Sequence, residues 1–548
     1  MRALMMDMPL LVTDLIRHAD RHHGDTEIVT RRVEGDFIHR YTYRDAHARA
    51  RGLANALERL GVKQGDRVAS LAWNTYRHFE LYYAVSGSGA VMHTVNPRLF
   101  PEQLAWIVND AGDSALFFDL TFLPLAQKLK AACPTLRTLV VMTDRAHMPK
   151  DAAGMLCYEE LVEAEPDDFD WPALDENTAC GLCYTSGTTG NPKGALYSHR
   201  SNVLHAYASC LPDAMSLSSR DCVLPVVPMF HANAWGFPFT APLVGAKIVM
   251  PGSALDGKSL CELFDTERVT FSAGVPTVWA GMLQYVKESG RRPATLKRMI
   301  VGGAAVPPAM MRAFEDLGIE LCHAWGMTEM SPLGCVSKLK EKHAKLPVEA
   351  QRAIREKQGH VPFGVDWKIV GGDGEELPWD GEAFGDLHVR GPWVVSSYYN
   401  AEKSPLVDGW FPTGDVATID PDGYLRITDR SKDVVKSGGE WISSIALENI
   451  AVAHPAIFEA AVIACRHPKW DERPLLIAVK KPGANVTREE LLGFYEGKVA
   501  KWWIPDDVVF VADLPHTATG KLLKTQLRER YRDHPLPAAA GARAALQS

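Results

Sequence analysis

Short apolar runs alternate with helix-like segments through the first part of the chain. Leu53, Leu57 and Leu60 recur at helical spacing, and Gly61 follows them as a stop signal. Apolar runs separated by such helical patterns are typical of βα units with largely parallel sheets. The runs lie at 68–73, 115–118, 139–142, 246–250 and 299–301.

The pattern changes after about Pro362. Apolar and polar residues alternate at 365–370, 386–390 and 424–427, and turns rich in glycine and aspartate flank these segments. This alternation predicts a small, more antiparallel β unit. A charged stretch, 429–433, follows, and a fresh set of strands and helices begins beyond it.

These changes predict an α/β fold with a domain boundary near Asp429. We expect a large N-terminal domain, residues 1–428, made of two βα-type sheets and a small β-barrel-like subdomain. Residues 434–548 are expected to form a small α+β C-terminal domain, which is long enough for a core of its own.

One stretch, 222–246, contains no Asp, Glu, Lys or Arg. It also contains four prolines together with His231 and Asn233, which makes a membrane-spanning helix implausible. The absence of charge therefore predicts buried core or the wall of an apolar cavity.

Composition and charge narrow the class of protein. Of the 548 residues, 46% are hydrophobic and 23% charged, which excludes a disordered chain, a coiled coil and a collagen-like fibre. The formal charge of -8 argues against nucleic acid as the main partner, although a nucleotide bound in a pocket stays possible. Neither a leader sequence nor a C-terminal targeting tail is evident, so we expect a cytoplasmic protein without an integral membrane segment.

The ten cysteines are scattered along the chain, and several lie inside apolar runs. This distribution predicts reduced, buried thiols and not a disulfide framework. Cys180 and Cys183 have the spacing of a redox or metal-binding pair. Because no second pair and no thioredoxin-like context accompanies them, we interpret them as two side chains of a core strand.

A candidate phosphate loop lies between Tyr184 and Gly194. The apolar run 180–184 precedes it and the helix-compatible segment 200–208 follows it. Its glycines allow close backbone approach, while its serine, its threonines and Lys193 offer donors and positive charge to the phosphates of a nucleotide. The alternative, a flexible surface turn, seldom needs so many hydroxyls bracketed by glycine and lysine.

A second candidate, Gly252–Ser259, matches the Walker A pattern letter for letter and lies between an expected strand and an expected helix. Asp256 is electrostatically unfavourable beside a bound anion, and no strand ending in aspartate stands out as a Walker B partner. We therefore interpret this match as a coincidence.

The first loop closely resembles the phosphate-binding motif of the adenylate-forming superfamily, which includes acyl-CoA synthetases, firefly luciferase and peptide-synthetase adenylation domains. Bacterial fatty-acyl-CoA and methylmercaptopropionyl-CoA ligases look most similar, and the likeness covers essentially the whole chain. The further motifs follow in the family's order: 228–235 (acyl pocket), 302–305 (adenine-side loop), 325–329 (aromatic-Gly-x-Thr-Glu), 409–415 (ribose), 429–433 (hinge), 436–443 (thiolation loop) and 519–521 (catalytic lysine).

The resemblance implies ATP, Mg²⁺ and coenzyme A as cofactors and a reaction in two halves. A carboxylate attacks the α-phosphate of ATP to give an acyl-adenylate and pyrophosphate, and the thiol of coenzyme A then attacks the acyl carbon and releases AMP. Both halves develop negative charge on oxygen, so preorganised cations and hydrogen-bond donors are what the chemistry needs.

The resemblance also implies roles in nucleotide binding. Glu329 and Thr185 are expected to hold Mg²⁺, and Thr328 to contact the α-phosphate. Trp325 is expected to stack on adenine, and Asp415 to accept the ribose hydroxyls with support from Arg430. The full implied set for ATP and AMP is Thr185, Ser186, Gly187, Thr188, Thr189, Gly190, Lys193, Gly302, Gly303, Ala304, Trp325, Gly326, Met327, Thr328, Glu329, Asp415 and Arg430.

The remaining motifs imply catalysis, an acyl pocket and domain motion. Lys521 is expected to bridge the acid and the α-phosphate, and then to withdraw when the C-terminal domain rotates about Asp429 or Lys432. Glu440 is expected to act as a base for the thiol or to order its loop. The implied acyl pocket comprises Phe230, His231, Trp235 and Gly302, with Trp235 as its gate and His231 beside the acid's carboxylate. The implied coenzyme A site comprises Lys436, Gly438, Gly439, Glu440 and Trp441.

The acyl motif carries an argument about the substrate. Amino-acid-activating relatives place an aspartate after the matching phenylalanine, whereas here His231 follows Phe230 and no acidic residue lies near. A buried ammonium without a partner is costly. We therefore expect an apolar acid, either a straight-chain fatty acid or a thioether acid.

Two alternatives remain open at this point. A stand-alone adenylating enzyme would load a carrier protein in place of coenzyme A. A P-loop ATPase built on Gly252–Ser259 would release ADP and phosphate. By analogy with bacterial relatives we expect a homodimer whose other partners are small-molecule substrates.

Overall fold

The computed structural model describes residues 1, 4–35, 37–185, 191–304, 306–437, 440–516 and 522–537, with 440 and 441 described by their backbone alone. The chain divides into two compact units. The first unit comprises Met1–Asp366 with Arg390–Phe411, and the second unit comprises Trp367–Val389 with Pro412–Ser548.

The first unit is built from alternating helices and strands. Its helices are α1 (Val12–His23), α2 (Tyr43–Arg59), α3 (Tyr76–Gly87), α4 (Pro101–Ala111), α5 (Leu123–Ala132), α6 (Tyr158–Glu163), α7 (His199–Cys210), α8 (Ala232–Trp235), α9 (Phe237–Val244), α10 (Gly257–Thr266), α11 (Pro276–Ser289), α12 (Pro308–Asp316) and α13 (Val348–Arg355). Its strands are β1 (Glu27–Arg31), β2 (Ile38–Thr42), β3 (Arg67–Leu71), β4 (Val91–Thr94), β5 (Ala115–Phe118), β6 (Thr138–Val141), β7 (Leu156–Cys157), β8 (Ala179–Tyr184), β9 (Gly194–Ser198), β10 (Cys222–Pro225), β11 (Lys247–Met250), β12 (Phe271–Gly274), β13 (Arg298–Val301), β14 (Glu320–Gly326) and β15 (Leu333–Val336).

Two large sheets organise these strands. A seven-stranded sheet has the order β7-β6-β5-β3-β4-β8-β9, and an eight-stranded sheet has the order β15-β14-β13-β12-β10-β11-β1-β2. The interior pairs are parallel, and the edge strands β9, β15 and β2 are antiparallel to their neighbours. The prediction of βα units with largely parallel sheets is therefore confirmed, and each apolar run of the sequence overlaps one of these strands.

Caps define both ends of α2, and the sequence predicted the stop at Gly61. The Thr42 side chain accepts a hydrogen bond from the backbone N–H of Asp45, whose carboxylate accepts one from the N–H of Thr42 in return. At the other end the helix stops at Arg59, and Gly61 takes a left-handed conformation with φ of 81°. The apolar stripe between these caps packs Leu53 and Leu57 into the core.

The uncharged stretch 222–246 forms β10, α8 and α9, and most of its side chains are buried. The prediction that the missing charge reflects a buried environment is confirmed. Within the part of the chain that the structure describes, no helix is both long enough and apolar enough to cross a bilayer.

The second unit contains two smaller sheets. A four-stranded sheet orders β16 (Asp366–Val370), β17 (Phe384–Arg390), β18 (Phe411–Ile419) and β19 (Leu425–Arg430). A five-stranded sheet contains β20 (Val435–Ser437), β21 (Glu440–Ile442), β22 (Ile457–His467), β23 (Asp471–Lys480) and β24 (Asp507–Val511). The helices are α14 (Ser444–Val452), α15 (Arg488–Gly493) and α16 (Lys524–Arg530).

The five-stranded sheet has a core on each face, because successive side chains of a strand point to opposite sides. On β22, Val462 belongs to one buried cluster while Ala461 and Ile463 belong to the other. The expectation that this region holds its own core agrees with the structure. The four-stranded sheet belongs to the same compact unit as the C-terminal strands. The hinge at 429–433 stays a prediction, because a hinge concerns motion between two conformations.

All ten cysteines are free thiols, as the sequence predicted for reduced side chains. On β8, Cys180 Sγ accepts a hydrogen bond from Asn202 at 3.2 Å, and burial raises the pKa of the Cys180 thiol to about 12. Cys183 is hydrogen-bonded to the Thr94 hydroxyl at 3.2 Å. Both thiols are therefore protonated core side chains, which supports the structural interpretation of this pair.

Candidate active site

The candidate phosphate loop connects β8 to β9. These strands pair in antiparallel register up to Tyr184 and Gly194. The loop is closed at its base, because the N–H of Thr185 donates to the Lys193 carbonyl at 2.9 Å and the N–H of Lys193 donates to the Thr185 hydroxyl at 3.2 Å. Thr185 and Lys193 are thus held beside each other. Ser186, Gly187, Thr188, Thr189 and Gly190 lie outside the described residues.

The acidic motif follows the end of β14. Gly326 is required there, because a Cβ at this position would lie 1.9 Å from the Pro332 carbonyl oxygen. The N–H of Met327 donates to that same carbonyl at 3.1 Å, and Thr328–Met330 form one turn of 3₁₀-helix. Thr328 and Glu329 are both buried.

Two tyrosines hold this motif. Tyr197 on β9 donates its hydroxyl to the Thr328 carbonyl at 2.6 Å. Tyr398 donates its hydroxyl to Glu329 Oε1 at 2.7 Å, and Lys193 Nζ lies 4.9 Å from the centroid of its ring. The phosphate loop and the acidic motif, which are far apart in sequence, are therefore linked through Tyr197 and Tyr398. Sequence reasoning missed both tyrosines.

The predicted adenine-side loop follows β13 and contacts the acyl motif. A Cβ on Gly302 would lie 2.8 Å from the Ala324 carbonyl oxygen and 3.4 Å from Trp235 Cη2. Gly303 adopts a left-handed conformation with φ of 80°, and Ala304 follows it. Gly302 and Trp235, two members of the predicted acyl pocket, therefore lie against each other.

The acyl motif contains an unusual turn. Residues 232–235, which form α8, have φ between 43° and 57°, so each takes a left-handed conformation that costs about 1–2 kcal/mol for a residue with a Cβ. His231 lies immediately before this turn and is half-buried. The ring of Phe230 packs edge-on against Trp73 at a centroid distance of 6.0 Å.

Asn233 anchors the strained turn. Its side-chain oxygen accepts hydrogen bonds from the Tyr82 hydroxyl at 3.1 Å and from the Cys183 thiol at 3.4 Å. The Tyr82 hydroxyl also donates to the Met229 carbonyl at 2.7 Å. Backbone strain that persists only because its surroundings fix it is a mark of functional sites. The one sequence signal for this arrangement was an asparagine in an uncharged stretch, since asparagine tolerates positive φ.

The predicted ribose-binding pair lies in the second unit. Asp415 and Arg430 face each other across β18 and β19, and Arg430 Nε lies 2.9 Å from Asp415 Oδ1. Asp415 is 2% exposed, so its carboxylate is aligned before any ligand arrives. The structure therefore brings this pair together, and the ribose contact stays a prediction.

The two hinge candidates have different surroundings. Asp429 is buried and accepts hydrogen bonds from the Arg430 N–H at 2.8 Å and the Ser444 hydroxyl at 3.0 Å. Burial raises the pKa of the Asp429 carboxyl, which lies near the Lys524 ammonium. Lys432 lies in the exposed turn that follows, and partial burial lowers the pKa of its ammonium.

Within the predicted thiolation loop, β20 pairs with β21 in antiparallel register, and Lys436 lies opposite Trp441. Lys436 is exposed, and its N–H donates to Glu472 Oε2 at 2.8 Å. Gly438, Gly439, Lys521 and the side chains of Glu440 and Trp441 lie outside the described residues.

The Walker A match does not have the geometry of a phosphate site. Asp256 caps α10 by accepting a hydrogen bond from the Ser259 N–H at 3.0 Å, and this bond lowers the pKa of its carboxyl. The helix N-terminus is thus already occupied by the chain's own anion. Lys258 points into solvent near Glu262, at 3.9 Å. The P-loop alternative is therefore not favoured.

Among the residues that the structure describes, no three His, Cys, Asp or Glu side chains converge in a way that could hold a metal ion.

Comparisons with known proteins agree with the geometry. The family model described as "AMP-binding enzyme" matches residues 15–399, and the model described as "AMP-binding enzyme C-terminal domain" matches residues 446–521. A 3-methylmercaptopropionyl-CoA ligase of Ruegeria lacuscaerulensis is 53% identical over 532 residues, which cover 96% of this chain and 98% of the relative.

Two further comparisons extend this result. A medium-chain-fatty-acid–CoA ligase of Ectopseudomonas oleovorans is 49% identical, with 96% of this chain and 97% of the relative covered. The crystal structure of an anthranilate CoA ligase in complex with anthranoyl-AMP superposes with a TM-score of 0.83 at 25% identity, covering 96% of this chain and 98% of that chain.

Proposed function

The chain belongs to the family of AMP-binding enzymes, and we propose that it is an AMP-forming acid–thiol ligase. It activates a carboxylic acid with ATP as an acyl-adenylate, releases pyrophosphate and passes the acyl group to coenzyme A with release of AMP. The observation that carries this proposal is the link through Tyr398 between the Lys193 ammonium and the Glu329 carboxylate. A nucleoside triphosphate needs a positive group of this kind for its phosphates, and its cation needs a carboxylate.

In the first half-reaction the chain's own groups orient two anions. Lys193 and the hydroxyl of Thr185 hold the phosphates, and Asp415 with Arg430 receives the ribose. Lys521 is proposed to approach both the carboxylate and the α-phosphate, so that its charge lowers the repulsion between them. The buried, pre-aligned state of Asp415 supports this assignment, since it needs little reorganisation on binding.

Mg²⁺ fits the groups present at this site. The Glu329 carboxylate and the Thr185 hydroxyl are hard oxygen ligands, and Mg²⁺ in nucleotide sites usually takes few ligands from the protein. When bound it would supply positive charge against the phosphate oxygens. The Tyr398 hydroxyl, which donates to one oxygen of Glu329, keeps the carboxylate oriented.

The acid substrate is proposed to be apolar, a fatty or thioether acid. The uncharged stretch 222–246 is mostly buried, and Trp235 packs against Gly302 at the place where the acyl chain is proposed to enter. His231, and not an acidic residue, directly follows Phe230 within a stretch that has no Asp or Glu, so the ammonium of an amino acid would find no acidic partner in this segment. The names of the relatives, which are ligases for methylmercaptopropionate and for medium-chain fatty acids, agree with this class.

For the second half-reaction we propose that the C-terminal residues rotate about Asp429 or Lys432. This motion removes Lys521 and presents the thiolation loop, which carries Lys436 and Glu440, to the thiol. The exposure of Lys436 supports a contact with a phosphate of coenzyme A. We further propose a cytoplasmic homodimer, by analogy with bacterial relatives alone.

A panel of acids and acceptors tests the proposal. The purified chain is incubated with ATP, Mg²⁺ and acids from propionate to palmitate, including methylmercaptopropionate, with either coenzyme A or a phosphopantetheinyl carrier protein as acceptor. The proposal expects AMP, pyrophosphate and an acyl-CoA for apolar acids. Acylation of the carrier without acylation of coenzyme A would favour the stand-alone adenylating alternative, and acid-independent ADP release would favour an ATPase.

A further inference from the structure

A strap, residues 393–400 of the first unit, crosses both segments that carry phosphate-binding residues. The N–H of Val395 donates to the Glu329 carbonyl at 2.9 Å, and the N–H of Tyr399 donates to the Gly194 carbonyl at 2.8 Å. Backbone hydrogen bonds therefore fix the strap to the acidic motif at one point and to the end of the phosphate loop at another.

The strap packs tightly on the phosphate loop. A Cβ on Gly194 would lie 3.1 Å from Tyr399 Cβ and 3.2 Å from Tyr184 Cζ, which is closer than side chains usually pack. Glycine at this position thus lets the strap approach the first residue of β9. This contact fixes the position from which Tyr398 reaches the site.

Tyr398 lies between two opposite charges. Its hydroxyl donates to Glu329 Oε1 at 2.7 Å, while Lys193 Nζ lies 4.9 Å from its ring centroid. Its ring also packs edge-on against Phe411 at a centroid distance of 6.2 Å, which limits its rotation.

In the described part of the chain, Lys193 and Glu329 form no ion pair with each other, and each contacts a different part of Tyr398. A lysine and a glutamate that paired directly would neutralise each other. That ion pair would have to break before either side chain could bind its own ligand. A neutral aromatic side chain between them binds the carboxylate through its hydroxyl and the ammonium through its π face.

We propose that Tyr398 is a positioning residue that holds Glu329 toward the metal and Lys193 toward the phosphates while it keeps the two charges from pairing. This inference rests on the proposed function, which supplies the nucleotide and its cation. Its consequence is that the hydroxyl and the ring act separately, the first on the metal-dependent part of ATP binding and the second on the phosphate-dependent part.

The separate roles of the Tyr398 hydroxyl and ring are tested with two variants of the full-length chain. ATP binding is measured by titration calorimetry without acid, once with Mg²⁺ and once with EDTA, for the wild type, Tyr398→Phe and Tyr398→Leu. Tyr399→Phe is the matched control, because it removes a hydroxyl one residue away that does not bind Glu329. Thermal unfolding of each variant, and acid-dependent pyrophosphate release by the wild type, are measured on the same preparations.

Tyr398→Phe is expected to reduce the gain in ATP affinity that Mg²⁺ provides by about three- to tenfold, the size of the usual net contribution of one hydrogen bond. Its affinity in EDTA should stay within about twofold of the wild type, because the ring over Lys193 remains. Tyr398→Leu should lose affinity under both conditions, and Tyr399→Phe under neither.

The proposal is overturned if Tyr398→Phe keeps the full gain from Mg²⁺, if Tyr399→Phe loses as much, or if the wild type shows no gain at all. These results are distinct from a failure of the proposed function. If the wild type releases pyrophosphate in an acid-dependent manner and the Tyr398 variants bind ATP as the wild type does, with Mg²⁺ and with EDTA, only the inference about Tyr398 is wrong. If the wild type releases none with any acid, the proposed function is wrong.

Discussion

The hydroxyl of Tyr197 donates a hydrogen bond to the backbone carbonyl of Thr328 at 2.6 Å, across 131 positions of sequence. Tyr197 lies on β9, at the end of the phosphate loop, and is 2% exposed. The bond ties the first residue of the 3₁₀ turn that carries Glu329 to the strand that follows Lys193. Two segments proposed to bind one nucleotide therefore share a buried anchor.

Replacing Tyr197 with phenylalanine is expected to weaken this anchor without creating a cavity. The Thr328 carbonyl would lose its buried donor, which costs about 1–3 kcal/mol of the free energy of unfolding. We also expect the KM for ATP to rise, since the acidic motif is less well held. Urea unfolding and steady-state kinetics measure both effects.

Tyr207→Phe serves as the control, because Tyr207 on α7 is 55% exposed. Removing its hydroxyl should leave unfolding and KM unchanged. Equal effects of the two substitutions would show that the Tyr197 bond contributes nothing specific to this site.

Gly302→Ala is expected to disturb the contact between the adenine-side loop and the acyl motif. The added Cβ would lie 2.8 Å from a backbone oxygen of Ala324, which cannot move aside as a side chain could. Overpacking of this kind costs about 1–3 kcal/mol, so we expect the KM for the acid to rise by about tenfold or more. Gly281→Ala is the matched control, because a Cβ there meets nothing within 4 Å and lies in α11.

The control should retain wild-type kinetics and gain slightly in stability, because alanine favours helix over glycine. A Gly302→Ala enzyme with an unchanged KM for every acid tested would argue against Gly302 as part of the acyl pocket.

Lys521→Ala is expected to lower the rate of acyl-adenylate formation by about 10²–10³, the usual effect of removing one charge that stabilises a transition state. Lys258→Ala is the control, since the Lys258 side chain is 68% exposed and belongs to the Walker A match. Pyrophosphate exchange measures the first half-reaction in both variants. Full activity of Lys521→Ala would contradict the assignment of Lys521 as the catalytic lysine. If Lys258→Ala were at the same time folded and inactive, the P-loop alternative would be favoured.

The stability of the fold is expected to fall as the pH falls below about 6.5. Burial lowers the pKa of His205 to about 3 and the pKa of His78 and His199 to about 4. Between these values and the usual value of 6.5, the unfolded chain binds protons that the folded chain does not, so acid favours unfolding. Each such histidine contributes a slope of up to about 1.4 kcal/mol per pH unit.

Urea unfolding of the wild type and of His205→Gln at several pH values tests this dependence. The variant should show a shallower slope between about pH 6 and pH 4, even if it is less stable at neutral pH. Parallel slopes for the two proteins would contradict the assignment of His205 as a neutral buried side chain.

The sequence predicted most of the architecture, because short apolar runs and caps are local signals. It also marked the candidate phosphate loop and the acidic motif, since their glycines, hydroxyls and charges lie within a few positions of one another. It did not predict Tyr82, Asn233 or Tyr398, whose contacts connect distant parts of the chain. The bond from Tyr82 to Asn233 spans 151 positions, and no periodic pattern marks either residue.

The left-handed turn at 232–235 could not be predicted for a related reason. Alanine and tryptophan seldom adopt positive φ, so their local preferences argue against the observed backbone. The turn exists because Asn233 is held by Tyr82 and Cys183, which lie on other elements of the fold. Tertiary contacts override the local preference here.

The first chemical step of the proposed reaction is direct attack of the acid's carboxylate on the α-phosphate of ATP. An acid labelled with ¹⁸O in both carboxylate oxygens, incubated with the enzyme, ATP, Mg²⁺ and coenzyme A, tests this step directly by mass spectrometry of the products. We predict one ¹⁸O atom in AMP, one in the acyl-CoA and none in pyrophosphate. Label in inorganic phosphate with ADP as the second product, or AMP without label, would contradict the account.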